Sequence, residues 1–184
     1  MIKYFYLKGD KTSLNLFRSM FPMGGKTPFN SYFYSLNDNG VHFISYSADL
    51  FTVGQFSDRS TSQLDSNTMN IIDNQIDLIE KDLINANQNR DFCPWIVVIV
   101  SQSVTCIDSS CSSIINDVLK QKLEALFYEY NVDLILESGS NVYERSYPVV
   151  KTLGKYKTDY KTPEMPVFIT LPKYSIGTNR KITG

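Results

Sequence analysis

Apolar residues along this 184-residue chain form several short runs with the composition of β-strands. Residues 2–7 (IKYFYL) are rich in β-branched and aromatic side chains and end at a Gly-Asp pair, which predicts a first strand. Residues 95–101 (WIVVIVS) form a continuous apolar run after a proline, a pattern typical of a strand covered on both faces. Two further runs, at 132–137 and 166–171, predict two more strands.

A hairpin and two helices are predicted between these strands. Residues 30–36 and 41–47 flank the turn sequence Asn-Asp-Asn-Gly, whose members tolerate a left-handed backbone. Residues 66–89 carry isoleucine and leucine at spacings of three and four, which predicts one apolar helical stripe. A second such pattern predicts a helix over 113–130. Residues 51–65 are polar and rich in Ser and Thr, which predicts an irregular loop.

The order of these elements predicts the fold class. A hairpin followed by strand, helix, strand, helix and strand is the order of an α/β layer. No internal repeat and no domain-scale linker interrupts the chain. We therefore expect residues 1–184 to form a single unit, or part of one.

Composition and charge exclude several classes of function. The chain has 42% hydrophobic and 20% charged residues, which is ordinary for a globular protein. Its formal net charge of -1 provides no basic field to attract nucleic acid or anionic lipid. No apolar run reaches the roughly 18 residues of a membrane-spanning helix. No partner among nucleic acids or membranes is therefore expected from charge or hydropathy.

Three cysteines bear on the compartment. Cys106 and Cys111 are separated by four residues, a span that a small loop closes into a disulfide, and Cys93 is then left over. Two neighbouring reduced thiols are the alternative. Secretion and location in an organelle assembly are both compatible with these three cysteines.

Several segments resemble the C-terminal half of the catalytic domain of the purple acid phosphatases, which are calcineurin-like metallophosphoesterases. The resembling segments occur in the order of that family and cover most of the chain from residue 18 onward. They are RSMFPM at 18–23, the hairpin at 30–47, QIDLIEKDLINAN at 75–87, PWIVV at 94–98, YERSYPV at 143–149 and PVFITLPKYSIGTNR at 166–180. The resemblance implies part of a β-sandwich flanked by helices. It also implies a paired cysteine after the first histidine motif, where Cys106 and Cys111 lie.

Members of that family use two metal ions to activate a hydroxide for attack on a phosphoester. Their ligand motif GHxHxYER aligns without a gap onto residues 138–145, where Gly139 and Asn141 occupy the two histidine positions. The GHRP motif aligns onto residues 100–103, where Ser101 occupies the histidine position. Neither a glycine nor a neutral serine replaces an imidazole as a metal ligand.

The remaining ligand motifs of the family also lack their usual residues in this sequence. The GNHE motif, if it is present, aligns onto residues 9–12, where Asp10 takes the asparagine position and Lys11 the substrate-facing histidine position. The GDxG and GDxxY motifs have no counterpart in the sequence. The resemblance therefore implies former ligand positions at Asp10, Ser101, Gly139 and Asn141 that no longer form a metal site. A weak cation site at Asp10, Ser101 and Asn141 is the alternative.

These observations favour a non-catalytic, degenerate relative that serves as a structural or interaction subunit, without cofactor. Because the chain supplies roughly one sheet of the sandwich, we expect another polypeptide to cover the open sheet face. Half of a split binuclear-metal phosphatase, completed by another chain, is the alternative. A vestigial phosphate-binding or lectin-like module, resting on Arg145 and Lys11, is a third interpretation.

Two further predictions concern a single histidine and one short triplet. The single histidine, His42, occurs in VHFIS within the hairpin, where the resemblance implies a structural role. The triplet Tyr143-Glu144-Arg145 is expected to be scaffold, with Arg and Glu paired and Tyr packed at the sheet edge.

Overall fold

A computed structural model describes residues 33–46, 66–101, 103, 114–140, 142–161 and 163–172. The predicted first strand at 2–7 and the predicted loop at 51–65 lie outside these residues. The helices and strands are β1 (Phe33–Asp38), β2 (Val41–Tyr46), α1 (Ser66–Gln88), β3 (Trp95–Val100), α2 (Ile114–Glu129), β4 (Leu134–Ser140), β5 (Glu144–Arg145), β6 (Val149–Val150), a 3-10 turn (Lys151–Leu153), β7 (Lys155–Tyr156) and β8 (Val167–Pro172). The α/β fold class is confirmed.

Six of the strands form one mixed sheet in the order β1-β2-β3-β4-β8-β5. Strands β2, β3, β4 and β8 are parallel to one another, whereas β1 pairs antiparallel with β2 and β5 pairs antiparallel with β8 at the two ends of the order. Helix α1 lies between β2 and β3 in the sequence and helix α2 between β3 and β4, as parallel strands require a crossover. Strands β6 and β7 form a separate two-stranded hairpin.

The predicted hairpin is present, with a two-residue turn. Asn39 and Gly40 have φ values of +47° and +81°, so both turn residues adopt the left-handed region. This is the arrangement that matches the right-handed twist of two antiparallel strands, and it explains the Asn-Gly pair in the sequence.

One face of the sheet carries both helices and the core. Ile79 and Leu83 of α1 and Leu123 and Phe127 of α2 are at most 1% exposed. They form one cluster with the inward residues of the strands. The predicted stripe of α1 is confirmed at Ile76, Ile79 and Leu83, for which side chains are described. Neither described helix is long and apolar enough to cross a membrane.

The opposite face of the sheet, which we call the second face, is mostly apolar, and the described part of the chain covers it incompletely. Because strand side chains alternate, these are the residues between the buried ones. Trp95, Leu36 and Leu171 on this face are 58%, 46% and 46% exposed. Eight others are half-buried: Tyr34, Val41, Phe43, Val97, Ile99, Leu134, Leu136 and Ile169.

The expectation that residues 95–101 are covered on both faces is therefore wrong in part. Ile96, Val98 and Val100 are fully buried against the helices, whereas Val97 and Ile99 are only half-buried. A continuous apolar run indicates that the strand has apolar side chains on both of its faces. It does not report whether the chain itself supplies both covering layers.

Arg90 holds the amino ends of the strands together. Its guanidinium donates hydrogen bonds to Asp133 Oδ2 at 2.8 Å and to the Pro94 carbonyl at 2.7 Å. It also donates to the carbonyls of Tyr130 and Asn131 at the end of α2. Asp133 Oδ2 in turn accepts from the Ile96 backbone N–H at 2.8 Å. Arg90 thus provides hydrogen-bond donors for the carbonyl groups at the end of α2. It also fixes the segments that lead into β3 and β4.

Candidate functional site at the carboxyl edge of the sheet

The parallel strands place several polar side chains in one row near their carboxyl ends. Strand pairing aligns Tyr46 with Val100, Val100 with Glu137, Glu137 with Thr170 and Thr170 with Glu144. Residues in one cross-strand row point to the same face of a sheet. The carboxyl edge of parallel strands is where α/β proteins commonly bind ligands.

Glu137 is the centre of this row. Its side chain lies on the helix side of the sheet and is only 1% exposed. Oε1 of Glu137 accepts hydrogen bonds from Ser103 Oγ and from Thr170 Oγ1, both at 2.8 Å. Burying a carboxyl group is costly unless hydrogen bonds compensate for the lost water, and these two hydroxyls provide that compensation. Glu137 therefore joins β4, β8 and the segment after β3.

Tyr46 is the next polar group along the row. Burial raises the pKa of its phenol well above the ordinary value, and the negative charge of Glu137 raises it further. The phenol therefore stays protonated throughout the neutral range. A group in this state is not available as a general base or as a nucleophile.

The last residues of β4 contact the segment that follows β3. Ser138 Oγ donates a 2.8 Å hydrogen bond to the Ser101 carbonyl. Ser140 is fully buried, and its Oγ accepts a 3.1 Å hydrogen bond from the Val142 backbone N–H. The β4-β8 register shifts between Ser138 and Ser140, which places Gly139 at an irregularity in the strand.

The other predicted site positions lie beyond what the structure describes. Asp10 and Asn141 fall outside the described residues, so the loss of the metal ligands stays a prediction. Cys106 and Cys111 also fall outside them, and their disulfide stays a prediction. Cys93 is buried and forms no disulfide.

Tyr143, Glu144 and Arg145 lie at the edge of the sheet formed by β5. The guanidinium of Arg145 lies over the ring of Tyr160, 4.4 Å from its centroid. Tyr160 stacks on Tyr147 with ring centroids 5.3 Å apart. Tyr143 is 60% exposed, so the expectation that it packs at the sheet edge is wrong. The tyrosine rings that pack here come from positions 147 and 160 instead.

His42 lies away from this row and has a structural environment. It is 7% exposed, and its Nε2 lies 3.0 Å from Asp82 Oδ2 on α1. Its Nδ1 lies 2.5 Å from Asn37 Oδ1 on β1. His42 pairs with Ile96, four residues before Val100 in β3, which is roughly 13 Å along the strand. The predicted structural role of His42 is confirmed by these contacts.

Sequence reasoning missed Glu137, Ser103 and Thr170. Glu137 stands at the end of a predicted apolar strand, and a charged residue in that position signals either a strand end or a buried polar contact. The two hydroxyl partners come from positions 34 and 33 residues away. Nothing in the local sequence of either partner identifies it.

The described side chains of this row interact through hydrogen bonds, with Glu137 as the acceptor. Within the described ranges, no group of three or more His, Cys, Asp or Glu side chains is placed to hold a metal ion. Glu137 is surrounded by hydroxyl donors, which stabilise a carboxylate and fix its position. The described part of the edge is thus arranged as an anchor between strands.

The sequence is similar to those of known acid phosphatases. No family model matches the sequence. Acid phosphatase type 7 of Homo sapiens is 24% identical over 172 residues, and the match covers 87% of this chain and 36% of the human protein. The Danio rerio acid phosphatase type 7 is 28% identical over 171 residues, covering 83% of this chain and 36% of the fish protein. The chain thus spans about a third of the length of the curated relatives it matches.

A solved structure supports the same relationship at the level of fold. The purple acid phosphatase from yellow lupin (Lupinus luteus) seeds superimposes with a TM-score of 0.57 at 16% identity. The superposition covers 83% of this chain and 24% of the lupin chain. The partial coverage agrees with the resemblance to a C-terminal half.

Proposed function

We propose that this chain, which is related by sequence and fold to the purple acid phosphatases, is a non-catalytic structural or interaction subunit of a larger assembly. In this proposal the second face of its sheet packs against another polypeptide, which supplies the second layer of the sandwich. The carboxyl edge, where relatives of this class have their chemistry, serves to hold the strands together.

The observation that carries the proposal is the second face itself. Its side chains along β1, β2, β3, β4 and β8 are mostly apolar and include Trp95 at 58% exposure, with Asp38, Ser45 and Ser138 as the polar members. A contiguous exposed apolar surface is typical of a protein interface. The matched relatives are longer than this chain, because the alignments cover only 36% of each of them.

The polar row supports the non-catalytic part of the proposal. Ser101 and Gly139 stand at positions that align with histidines in the resembling family, and neither supplies an imidazole. The one buried carboxylate of the row, Glu137, already accepts hydrogen bonds from two hydroxyls. The protonated Tyr46 phenol beside it adds no base.

Trp95 provides a direct test, because it is the only tryptophan of the chain. We expect the isolated chain to self-associate or precipitate, and acrylamide to quench Trp95 strongly in any soluble monomer. In the native assembly Trp95 is expected to be shielded from acrylamide. An isolated chain that is monomeric, soluble and cooperatively folded by size-exclusion chromatography and urea unfolding would contradict the proposal.

A matched pair of variants localises the interface. Trp95→Glu places a charge on the second face and is expected to release the chain from the assembly. Phe92→Glu is the control, because Phe92 is 79% exposed but lies in the turn before β3. Equal loss of assembly in both variants would show that exposed aromatics in general, rather than the second face, are responsible.

The second candidate function is half of a split phosphatase, favoured by the name acid phosphatase of the relatives. It requires a companion chain that supplies the missing metal ligands. Elemental analysis of the native assembly would then give two divalent metal ions per complex, and the complex would hydrolyse an aryl phosphate. Absence of both results would exclude this candidate and leave the first.

A further inference from the structure

A groove with a cationic rim lies beside the sheet edge, between β5, β8 and the β6-β7 hairpin. Its volume is about 250 Å³, and six of its lining residues determine its character. These are Arg145, Tyr147, Val149, Lys151, Lys157 and Phe168. We call it the edge groove.

Charge is concentrated around this groove. Residues 143–161 carry five Lys or Arg residues and two Asp or Glu residues, although the whole chain has a net charge of -1. Three cationic side chains, Arg145, Lys151 and Lys157, line the groove, together with one carboxylate, Glu144. The groove is therefore a local positive surface on a slightly acidic protein.

Apolar and aromatic groups form the rest of the groove. Phe168 is 1% exposed and Val149 is half-buried, and both line it. Tyr147 and Tyr156 are 54% and 72% exposed, and they add ring surface at its side. Arg145 is held over Tyr160, which in turn stacks on Tyr147, so the guanidinium has a supported position.

A single phosphate-like anion does not have a backbone cradle here. The amides at the start of the 3-10 turn are the N–H groups beside Lys151 that would bind such an anion. Both are already used, because Lys151 N donates to Glu124 Oε1 at 2.6 Å and Thr152 N donates to Glu124 Oε2 at 2.7 Å. The remaining cations belong to long side chains from three separate positions. That distribution suits several carboxylates spaced along a chain better than one compact anion.

We propose that the edge groove is a docking site for an acidic polypeptide segment, in which one aliphatic side chain enters the groove and flanking carboxylates meet Arg145, Lys151 and Lys157. The volume accommodates a single side chain of this kind, and charge complementarity sets the orientation of the segment. Phe168 and Thr170 lie on the helix side of the sheet, whereas Arg145 pairs with Ile169 of the second face. The edge groove thus borders the second face at Arg145.

The test is a binding titration of the full chain. A fluorescein-labelled Glu-rich peptide with one central Leu is the probe, and fluorescence anisotropy at low salt is the measurement. We expect saturable binding that weakens as salt rises, because exposed charges are screened. We also expect replacement of the Leu by Ser to weaken binding.

Charge-removal variants locate the site. Arg145→Gln and Lys157→Gln are each expected to weaken binding by roughly tenfold. Lys122→Gln is the matched control, because Lys122 lies on α2 and pairs with Asp73 on α1, so its substitution should leave the affinity unchanged. All three side chains are surface groups, and urea unfolding checks that each variant folds.

Four outcomes would overturn the proposal. They are no binding of the peptide at low salt, equal weakening by Lys122→Gln, no effect of replacing the Leu, and displacement of the peptide by inorganic phosphate beyond that caused by chloride of equal ionic strength. The last result would identify a small-anion site in place of a polypeptide site.

Discussion

Thr170 Oγ1 donates a 2.8 Å hydrogen bond to Glu137 Oε1 across the two neighbouring parallel strands β8 and β4. Glu137 also accepts from Ser103, which follows β3. Three consecutive strands of the sheet are therefore joined by one buried carboxylate. This contact lies near the carboxyl ends of the parallel strands.

The first prediction concerns this carboxylate. Glu137→Ala removes the acceptor and leaves the hydroxyls of Ser103 and Thr170 buried without it. We expect the free energy of unfolding to fall by about 2–4 kcal/mol, from lost hydrogen bonds and from the cavity. Glu164→Ala is the control, because the Glu164 side chain is 82% exposed and lies 3.9 Å from Lys157 Nζ, a loose ion pair. Urea unfolding measures both, and an equal effect in the two variants would contradict an anchoring role.

The second prediction concerns alkaline stability. The pKa of Tyr46 is raised in the folded chain, so above pH 10 the unfolded chain loses this proton while the folded chain retains it. The stabilisation from protonated Tyr46 is therefore complete below pH 10 and declines as pH rises above it. The contribution of this residue is at most about 1.4 kcal/mol per pH unit.

Tyr46→Phe should accordingly weaken the fall of stability between pH 9 and pH 11, measured by urea unfolding. Tyr160→Phe is the matched control, because Tyr160 is 41% exposed. Other groups also titrate in this range, and they act equally in all three proteins. An unchanged pH slope in Tyr46→Phe would contradict the burial of a protonated phenol.

The third prediction concerns Arg90 and Asp133, whose ion pair of 2.8 Å joins the end of α1 to the entry of β4. Each side chain makes further hydrogen bonds to backbone groups. We expect Arg90→Ala and Asp133→Ala each to cost about 1–3 kcal/mol of stability. The double variant should cost less than the sum, because the two residues share one network.

The exposed pair Lys122–Asp73 is the control for that experiment, since its side chains are 39% and 51% exposed. Breaking it should change stability by less than about 1 kcal/mol. Additive effects in the Arg90–Asp133 cycle would show that the two residues act independently.

The fourth prediction concerns Glu124, a fully buried carboxylate on α2. It binds the backbone N–H groups of Lys151 and Thr152 and so fixes the 3-10 turn beside the edge groove. Glu124→Gln keeps the shape but loses one of the two acceptor oxygens. Amide hydrogen exchange at residues 151 and 152 should become faster, while exchange in β3 should stay unchanged. Faster exchange throughout the sheet would indicate global destabilisation instead.

Much of the fold could be predicted because its signals are local. The Asn39-Gly40 turn specifies the hairpin through backbone conformations that these residues tolerate. The periodic apolar residues of α1 specify the helix and its buried side. The segment resemblance aligned Ser101, Gly139 and Asn141 with former ligand positions, which stays a prediction. In the structure Ser138 Oγ donates a hydrogen bond to the Ser101 carbonyl.

Short strands and polar partners could not be predicted in the same way. Strands β5, β6 and β7 have two residues each and are too short to give a periodic pattern; β5 pairs with the distant strand β8, and β6 pairs with β7. The ring under Arg145 belongs to Tyr160, fifteen positions later, whereas the sequence analysis predicted only a pairing of Arg145 with Glu144. Such contacts depend on how loops return to the sheet.

The sequence by itself determined the α/β class, the order of the main elements, the structural role of His42 and the relationship to the purple acid phosphatases, because each rests on local conformational preference or on aligned residue identity. The tertiary structure alone decided that Glu137 is a buried anchor, that one sheet face carries both helices while the other is incompletely covered, and that cations surround the edge groove. Burial and charge environment are properties of residues brought together from distant positions. The sequence lists those residues, and only folding sets the distances between them.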